Sequence, residues 1–351
     1  MLNIGIVGYG YWGPNIARNF SAVEGVKVAA ICDNRQDALT RAKKAHPNVD
    51  IFTDYRDITR SNSIDVVAIV TPVSTHFQLA KDALKNGKHI FVEKPFTANV
   101  MEATKLIELA DKNSLKIAVD HTFLFTGAVK KIKEMVDDRK LGELYYYDST
   151  RVNLGLFQHD VNVIWDLAPH DLSVMDYVIK EKPIAITATG IDHFGRNLAN
   201  IAYITVYFKS NLIAHFNLNW LSPVKIRMTL IGGEKRMLVW NDLETDEKIK
   251  IYDKGVSVKN TESVYNLLVE YRSGDMWAPR VDHTEALKLE LAYFIDCINK
   301  NKNPINDGKA GLRIVEMLEA SDASLRAKGK LISELSDPDL TGRCFDMKKT
   351  T

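Results

Sequence analysis

Cysteine is scarce. Cys32, Cys297 and Cys344 stand far apart in the 351 residues, with no C-x-x-C pair and no Cys/His group at zinc spacing. That excludes a disulfide framework, gives no basis for a metal site, and suits a reducing cytosol. Long apolar runs are also absent, none reaching the roughly 18 residues of a membrane span. Neither charge is in excess: 46 basic side chains face 45 acidic ones, net +1, which argues against nucleic acid as the main partner. No basic region precedes the opening Met1-Leu2-Asn3-Ile4-Gly5, which reads as a strand rather than a signal peptide. The expectation is a soluble cytoplasmic protein with a small-molecule partner and no metal.

What is present is a chain of ordinary globular composition, 46% hydrophobic and 26% charged, long enough that two domains are the default. Over the first 120 residues strand and helix signals alternate. Strands are expected at 3–7, 26–32, 49–52, 65–70, 89–92 and 116–119, and helices at 14–20, 35–45, 75–86 and 100–112. The 65–70 run, Asp-Val-Val-Ala-Ile-Val, has the unbroken β-branched character of a strand covered on both faces. This repetition implies a doubly wound parallel sheet of Rossmann type. Beyond residue 122 the pattern changes. Helices are expected at 128–139 and 165–179, then consecutive strands at 185–191, 202–209, 212–220, 225–231, 236–240 and 248–253, with a tyrosine-rich strand earlier at 145–152. Helices at 285–299 and 310–328 close the chain. The fold class is therefore α/β: residues 1–122 as a dinucleotide-binding domain, 123–335 as an α+β substrate domain on a large open, mainly antiparallel sheet, and 336–351 as a tail. The late helices are placed to pack back on the first domain. An open sheet face implies self-association.

Gly8-Tyr9-Gly10-Tyr11-Trp12-Gly13 fits G-x-G-x-x-G directly after the first strand and before a helix. Gly8 permits the tight turn, Gly10 lets the backbone approach a pyrophosphate, and Gly13 lets the helix pack closely. Asp33 ends the second strand about twenty residues on, placed to accept hydrogen bonds from a ribose diol and to repel a 2′-phosphate. Arg35 fits adenine stacking, a 2′-phosphate contact, or a solvated helix start. NAD is the expected cofactor, with NADP left open.

Glu93-Lys94-Pro95 ends the 89–92 strand abruptly at the carboxyl edge of the sheet, where ligands sit. Lys94 there fits either a donor to a substrate hydroxyl or an ordinary surface lysine. In Trp165-Asp166-Leu167-Ala168-Pro169-His170-Asp171, Asp166 and His170 are one helical turn apart. A carboxylate beside the imidazole would orient it and favour its protonated form. A capping Asp171 and a structurally bonded His170 account for the same residues, and Asp171 reads as structural. Thr71-Pro72 ends the 65–70 strand and His76 starts the next helix, where a polar surface residue fits as well as a ribose contact.

Taken together and in this order, the glycine turn, Asp33, Thr71-Pro72 with His76, Glu93-Lys94-Pro95, Asp166-x-x-x-His170 and the late sheet resemble the Gfo/Idh/MocA oxidoreductase family across essentially the whole chain. The resemblance implies hydride transfer between nicotinamide and a secondary alcohol of a sugar ring, with Lys94 positioning the hydroxyl, His170 as acid/base and Asp166 alongside. It places Tyr11 and Trp12 at the pyrophosphate and nicotinamide side, and Thr71, Pro72, His76 and Glu93 along the cofactor cleft. It also implies a homodimer or homotetramer through the open sheet. Gly-Tyr-Gly-Tyr-Trp-Gly-Pro-Asn and Trp-Asp-Leu-Ala-Pro-His-Asp look like members of surface-polysaccharide pathways that act on nucleotide-linked sugars, such as UDP-N-acetylglucosamine 3-dehydrogenase. Free sugars and inositols are the alternative substrates, and a non-catalytic dinucleotide-binding regulator is the alternative of another class. Many relatives carry an Arg-Phe pair where this chain reads Asp120-His121-Thr122-Phe123-Leu124-Phe125, which removes a cationic contact. His121, Arg151, Asn153, Gln158, His159 and Asn162 are the candidates for gripping substrate, while at least two of Tyr145, Tyr146 and Tyr147 read as sheet packing.

Overall fold

The computed structural model describes residues 1–155, 160–258 and 269–333. Gln158, His159, Cys344 and the 336–351 tail lie outside them. The chain opens with β1 (Leu2–Val7), α1 (Gly13–Ser21), β2 (Val26–Cys32), α2 (Gln36–Ala45), β3 (Asp50–Phe52), α3 (Arg56–Thr59), β4 (Val66–Ile69), α4 (Val73–Lys85), β5 (His89–Val92), α5 (Val100–Lys112) and β6 (Ile117–Val119). These six strands form one parallel sheet in the order β3-β2-β1-β4-β5-β6. All four β4 residues are buried, as a two-sided cover requires. The order reverses between β1 and β4, which opens a crevice at their carboxyl ends.

A 3-10 turn at Thr122–Phe125 leads into α6 (Gly127–Asp137), β7 (Leu144–Leu154) and α7 (Val163–Val178). Then follow β8 (Pro183–Ile191), β9 (Ile201–Phe208), β10 (Ile213–Asn219), β11 (Leu221–Gly233), β12 (Met237–Asn241), β13 (Ile249–Val258), β14 (Val269–Trp277), α8 (Ala286–Asn299), α9 (Gly308–Arg326) and β15 (Ile332–Ser333). The second sheet runs β14-β13-β12-β11-β7-β10-β9-β8-β15. It is antiparallel except where β10 lies parallel to β7, because the chain leaves β7 through α7 rather than a hairpin. The two-residue β15, the one-turn α3 and β14 carry too little periodicity for the sequence to reveal them. Along β7 alternate residues turn inward, so Tyr147, Ser149 and Arg151 are buried. Tyr147 packs on Phe216, and the Tyr146 ring lies over Gly232, where a Cβ would sit 2.0 Å from it. Both are packing residues.

The late helices do return to the first domain. Leu287, Leu291, Phe294 and Ile295 of α8 share a core with Ile4, Phe20 and Phe91. Phe91 stands between Phe20 and Phe294, with both ring centroids at 6.0 Å. At the α8 start, Glu285 accepts from Arg18 and Asn19 of α1. Among the described residues no helix is long and apolar enough to cross a membrane. Phe294→Ala empties the centre of this cluster, and a loss of about 3–5 kcal/mol is expected in urea unfolding.

Candidate functional site

A cleft of about 1080 Å³ runs along the carboxyl ends of β1, β2, β4 and β5 as far as the start of α7. Gly8, Gly10, Tyr11, Trp12, Asp33, Arg35, Thr71, Pro72, Glu93, Lys94 and Asp166 all line it. The glycines act in different ways. Gly8 has φ +100°, and a Cβ on it would meet the Val70 carbonyl oxygen at 2.2 Å. A Cβ on Gly13 would meet the Gly8 carbonyl oxygen at 2.6 Å, so that glycine sets how closely α1 packs on the turn. A Cβ on Gly10 would meet nothing nearer than Arg35 Nη2 at 3.9 Å, so its missing side chain widens the cleft itself. This is the cradle that a pyrophosphate needs at the start of a helix.

Asp33 is held with its carboxylate toward the cleft. The Tyr9 amide donates to Oδ2 at 2.7 Å and the Arg35 amide to Oδ1 at 2.9 Å. Arg35 Nε lies 3.4 Å from Oδ1, and its guanidinium remains half exposed at the cleft mouth. Cys32, next in the chain, is buried, and burial pushes its thiol up to about 12, so it carries no nucleophilic role.

Lys94 lies two residues past the end of β5. Its Nζ donates to the Asp166 carbonyl oxygen at 2.8 Å and lies 3.7 Å from Asp166 Oδ1. Trp220 Nε1 donates to Asp166 Oδ2 at 3.1 Å. Asp166 therefore serves the lysine. No hydrogen bond joins it to His170, contrary to the reading from their spacing, because the first turn of α7 faces the β5 end.

His170 sits one turn further on, with Nδ1 buried and unpartnered and its ring against the Phe123 ring at 5.1 Å. Burial, and then the charges of Lys94, Arg151 and Arg227, hold its pKa well below the usual imidazole range. The expected bias toward the protonated form is thus reversed. The cleft walls include neither His170 nor Arg151, Asn153 and His121.

Four other expectations need correction. Arg151 is 5% exposed and spent on Asp171, bonding it through Nε and Nη2, while Ser149 Oγ donates to the same carboxylate. It stacks over Phe123 at 4.8 Å, and Arg227 lies 5.9 Å from the same ring. Two cations from β7 and β11 thus surround the position where the Arg-Phe pair is missing. His121 is 1% exposed, with both ring nitrogens unpartnered and its pKa lowered to about 3 by burial. It faces a separate cavity of about 120 Å³ beside Ser173, Asp176 and Arg313. His76 is also buried: Nδ1 meets the Pro95 carbonyl oxygen at 2.9 Å and Nε2 the Thr71 carbonyl oxygen at 2.8 Å. It braces the ends of β4 and β5 from behind. Asn162 caps α7 through the Ile164 and Trp165 amides and donates to Asp322. Asn153, two residues past Arg151, shares its sheet face by alternation.

Sequence reasoning missed Trp165, Trp220 and Phe123. Trp165 lines the cleft and donates to Asp322, Trp220 fixes Asp166, and Phe123 backs His170. Only Trp165 lies inside a motif. Among the described residues no group of three His, Cys, Asp or Glu side chains is set to hold a metal ion.

Residues 2–121 match the oxidoreductase family model with an NAD-binding Rossmann fold, and 129–239 match the GFO/IDH/MocA C-terminal domain. The chain belongs to the Gfo/Idh/MocA oxidoreductase family. This oxidoreductase is 25% identical over 323 residues to UDP-N-acetylglucosamine 3-dehydrogenase of Acidithiobacillus ferrooxidans, covering 90% of this chain and 94% of that one. It is 26% identical over 331 residues to the uncharacterized oxidoreductase YrbE of Bacillus subtilis, covering 92% and 93%. The solved structure of the Acidithiobacillus enzyme superposes with a TM-score of 0.77 at 23% identity, over 93% of this chain and 98% of that one. The oxidoreductase uses NAD, and the open space at Gly10 with the Asp33 carboxylate beside it fits that cofactor. Asp33→Asn is expected to weaken NAD⁺ roughly tenfold and to narrow the preference over NADP⁺, since a charged acceptor is lost. Fluorescence titration of both cofactors checks it.

Proposed function

We propose that this oxidoreductase interconverts a secondary alcohol and a ketone on the ring of a nucleotide-linked sugar. The observation that carries the chemistry is Lys94, pinned at the end of β5 by both the backbone and the side chain of Asp166 where the cleft meets α7. Gly8, Gly10 and Asp33 would hold the dinucleotide, with Thr71, Pro72 and Glu93 along its inner edge. The bound cofactor supplies the hydride acceptor. Lys94 donates to the reacting oxygen and stabilises charge developing on it. We assign the hydroxyl proton to His170, one turn past Asp166 and set back from the cleft wall, a role its neutral imidazole suits. Asp166 keeps the ammonium aimed by occupying part of its donor set. The assignment to a nucleotide sugar rests on the Acidithiobacillus relative, which matches over nearly the full length of both chains. The protein acts in the cytoplasm, and the open face of the second sheet joins it to another copy.

The test is nicotinamide absorbance with NAD⁺ against UDP- and dTDP-sugars, free hexoses and inositols. Reduction is expected with a nucleotide sugar, and Lys94→Ala is expected to lower kcat at least about a hundredfold while still binding NAD⁺. Turnover with free sugars or inositols alone would keep the chemistry and discard the nucleotide.

The pH dependence follows from His170. Its folded pKa lies below the free value, so the base stays competent as pH falls through about 6.5, and the rate drops only as pH passes the lower folded value. The acid limb of kcat/KM for alcohol oxidation is therefore expected below the ordinary histidine range. Arg227→Gln removes one of the charges holding it there and should move the limb toward neutrality.

A further inference from the structure

Beneath Lys94 lie three buried carboxyl groups that hydride transfer does not use. Glu93 closes β5, Asp120 follows β6 and Glu290 sits on α8, at 6%, 6% and 0% exposure. Asp120 is near enough to both glutamates to raise them. The Thr122 hydroxyl lies 2.6 Å from Asp120 Oδ1 and 2.5 Å from Glu290 Oε2. A hydroxyl has one hydrogen, so both contacts are hydrogen bonds only if one carboxyl carries a proton and donates it. Asn306 Nδ2 donates to the other Glu290 oxygen at 2.8 Å. Lys94 is a cation acting on Glu93, but its ammonium is directed at Asp166. Burial and the neighbouring acids raise Glu93 and Glu290 well above the usual carboxyl range. Glu93 also lines the cleft, and its Oε1 is buried without a partner. The network therefore has one end in the interior and one end at the cleft.

We propose that Glu93, Asp120 and Glu290 form a proton-holding carboxyl network whose protonation is coupled to the oxidation state of the nicotinamide. It gives up a proton when the cationic NAD⁺ ring docks against Glu93 and keeps it when neutral NADH docks. The carboxyl O–H bond breaks, its electron pair stays on oxygen as the carboxylate facing the ring, and the proton leaves to solvent. Nothing is oxidised or reduced in this step. The inference rests on the function proposed above, in which the dinucleotide runs along Glu93, and adds that its nicotinamide end lies there. Because binding releases a proton, NAD⁺ binds more tightly as pH rises, whereas NADH does not.

The experiment is isothermal titration of the full chain with NAD⁺ and with NADH, in buffers of different ionisation enthalpy and across pH 6–8. With NAD⁺, about one proton is expected to be released and Kd to tighten by up to about tenfold per pH unit. With NADH, no proton release and a flat Kd are expected. Glu93→Gln is expected to abolish the release. Asp120→Asn removes a neighbouring acid by an isosteric change, and should bring Glu93 back toward the ordinary carboxyl range and diminish the release. A change that only loosened the fold would weaken both cofactors and leave the proton count per bound NAD⁺ intact. Equal proton counts for the two cofactors, no release with NAD⁺, or undiminished release in Glu93→Gln would each overturn the network. Failure of both cofactors to bind would instead overturn the reading of the cleft, and this inference with it.

Discussion

The site depends on one tie across the domain boundary, Lys94 to Asp166. Lys94 belongs to the parallel sheet, and Asp166 to a helix packed on the second sheet. The 2.8 Å bond to a backbone carbonyl fixes where the ammonium lies, with the carboxylate 3.7 Å away. Trp220 locks that carboxylate from the second sheet, and His76 locks the β5 end from the first. Cofactor cleft and proton-handling groups are thereby held to one geometry by side chains from both halves.

Electrostatics divides the centre into two unlike regions. On the α7 side, Arg151 and Arg227 crowd the Phe123 ring, and burial, joined by the charges of Lys94 and these two arginines, holds His170 well below the usual imidazole range. Their own charges are met by Asp171 and Asp242, so the cations persist without substrate. On the β5 side, carboxyl groups gather, and burial favours the protonated forms of Glu93 and Glu290. An imidazole held low and two carboxyls held high thus lie either side of Lys94. Each state follows from who its neighbours are, not from its residue type.

Much of the first domain was legible because its signals are local. The glycine turn, Asp33 and the abrupt Glu93-Lys94-Pro95 end each sit within one strand–loop step, and β2, β5 and α5 fall where their apolar runs begin and end. Long-range partners were not legible. Helical spacing put Asp166 and His170 on one face, but nothing in the sequence says that Lys94, 72 residues earlier, claims the carboxylate first. Arg151 looked like an available cation because its buried partner Asp171 lies in another motif. His76 and His121 looked polar and accessible because burial is a property of the assembled layers. The parallel β7·β10 pair was hidden for the same reason, since pairing direction depends on where α7 returns the chain.

The return of α8 has a consequence for biogenesis. The first domain's sheet is complete in sequence by Val119, yet Phe20 and Phe91 gain Phe294 only when nearly the whole chain has left the ribosome. Until then Ile16, Phe20 and Phe91 lack part of their cover, and the intervening sheet has to fold in the meantime. The closing contacts span more than 250 residues, the kind of topology that folds slowly and leaves sticky intermediates. A fragment ending at the apparent domain boundary would carry every cofactor residue of the first domain and still present that apolar face to water.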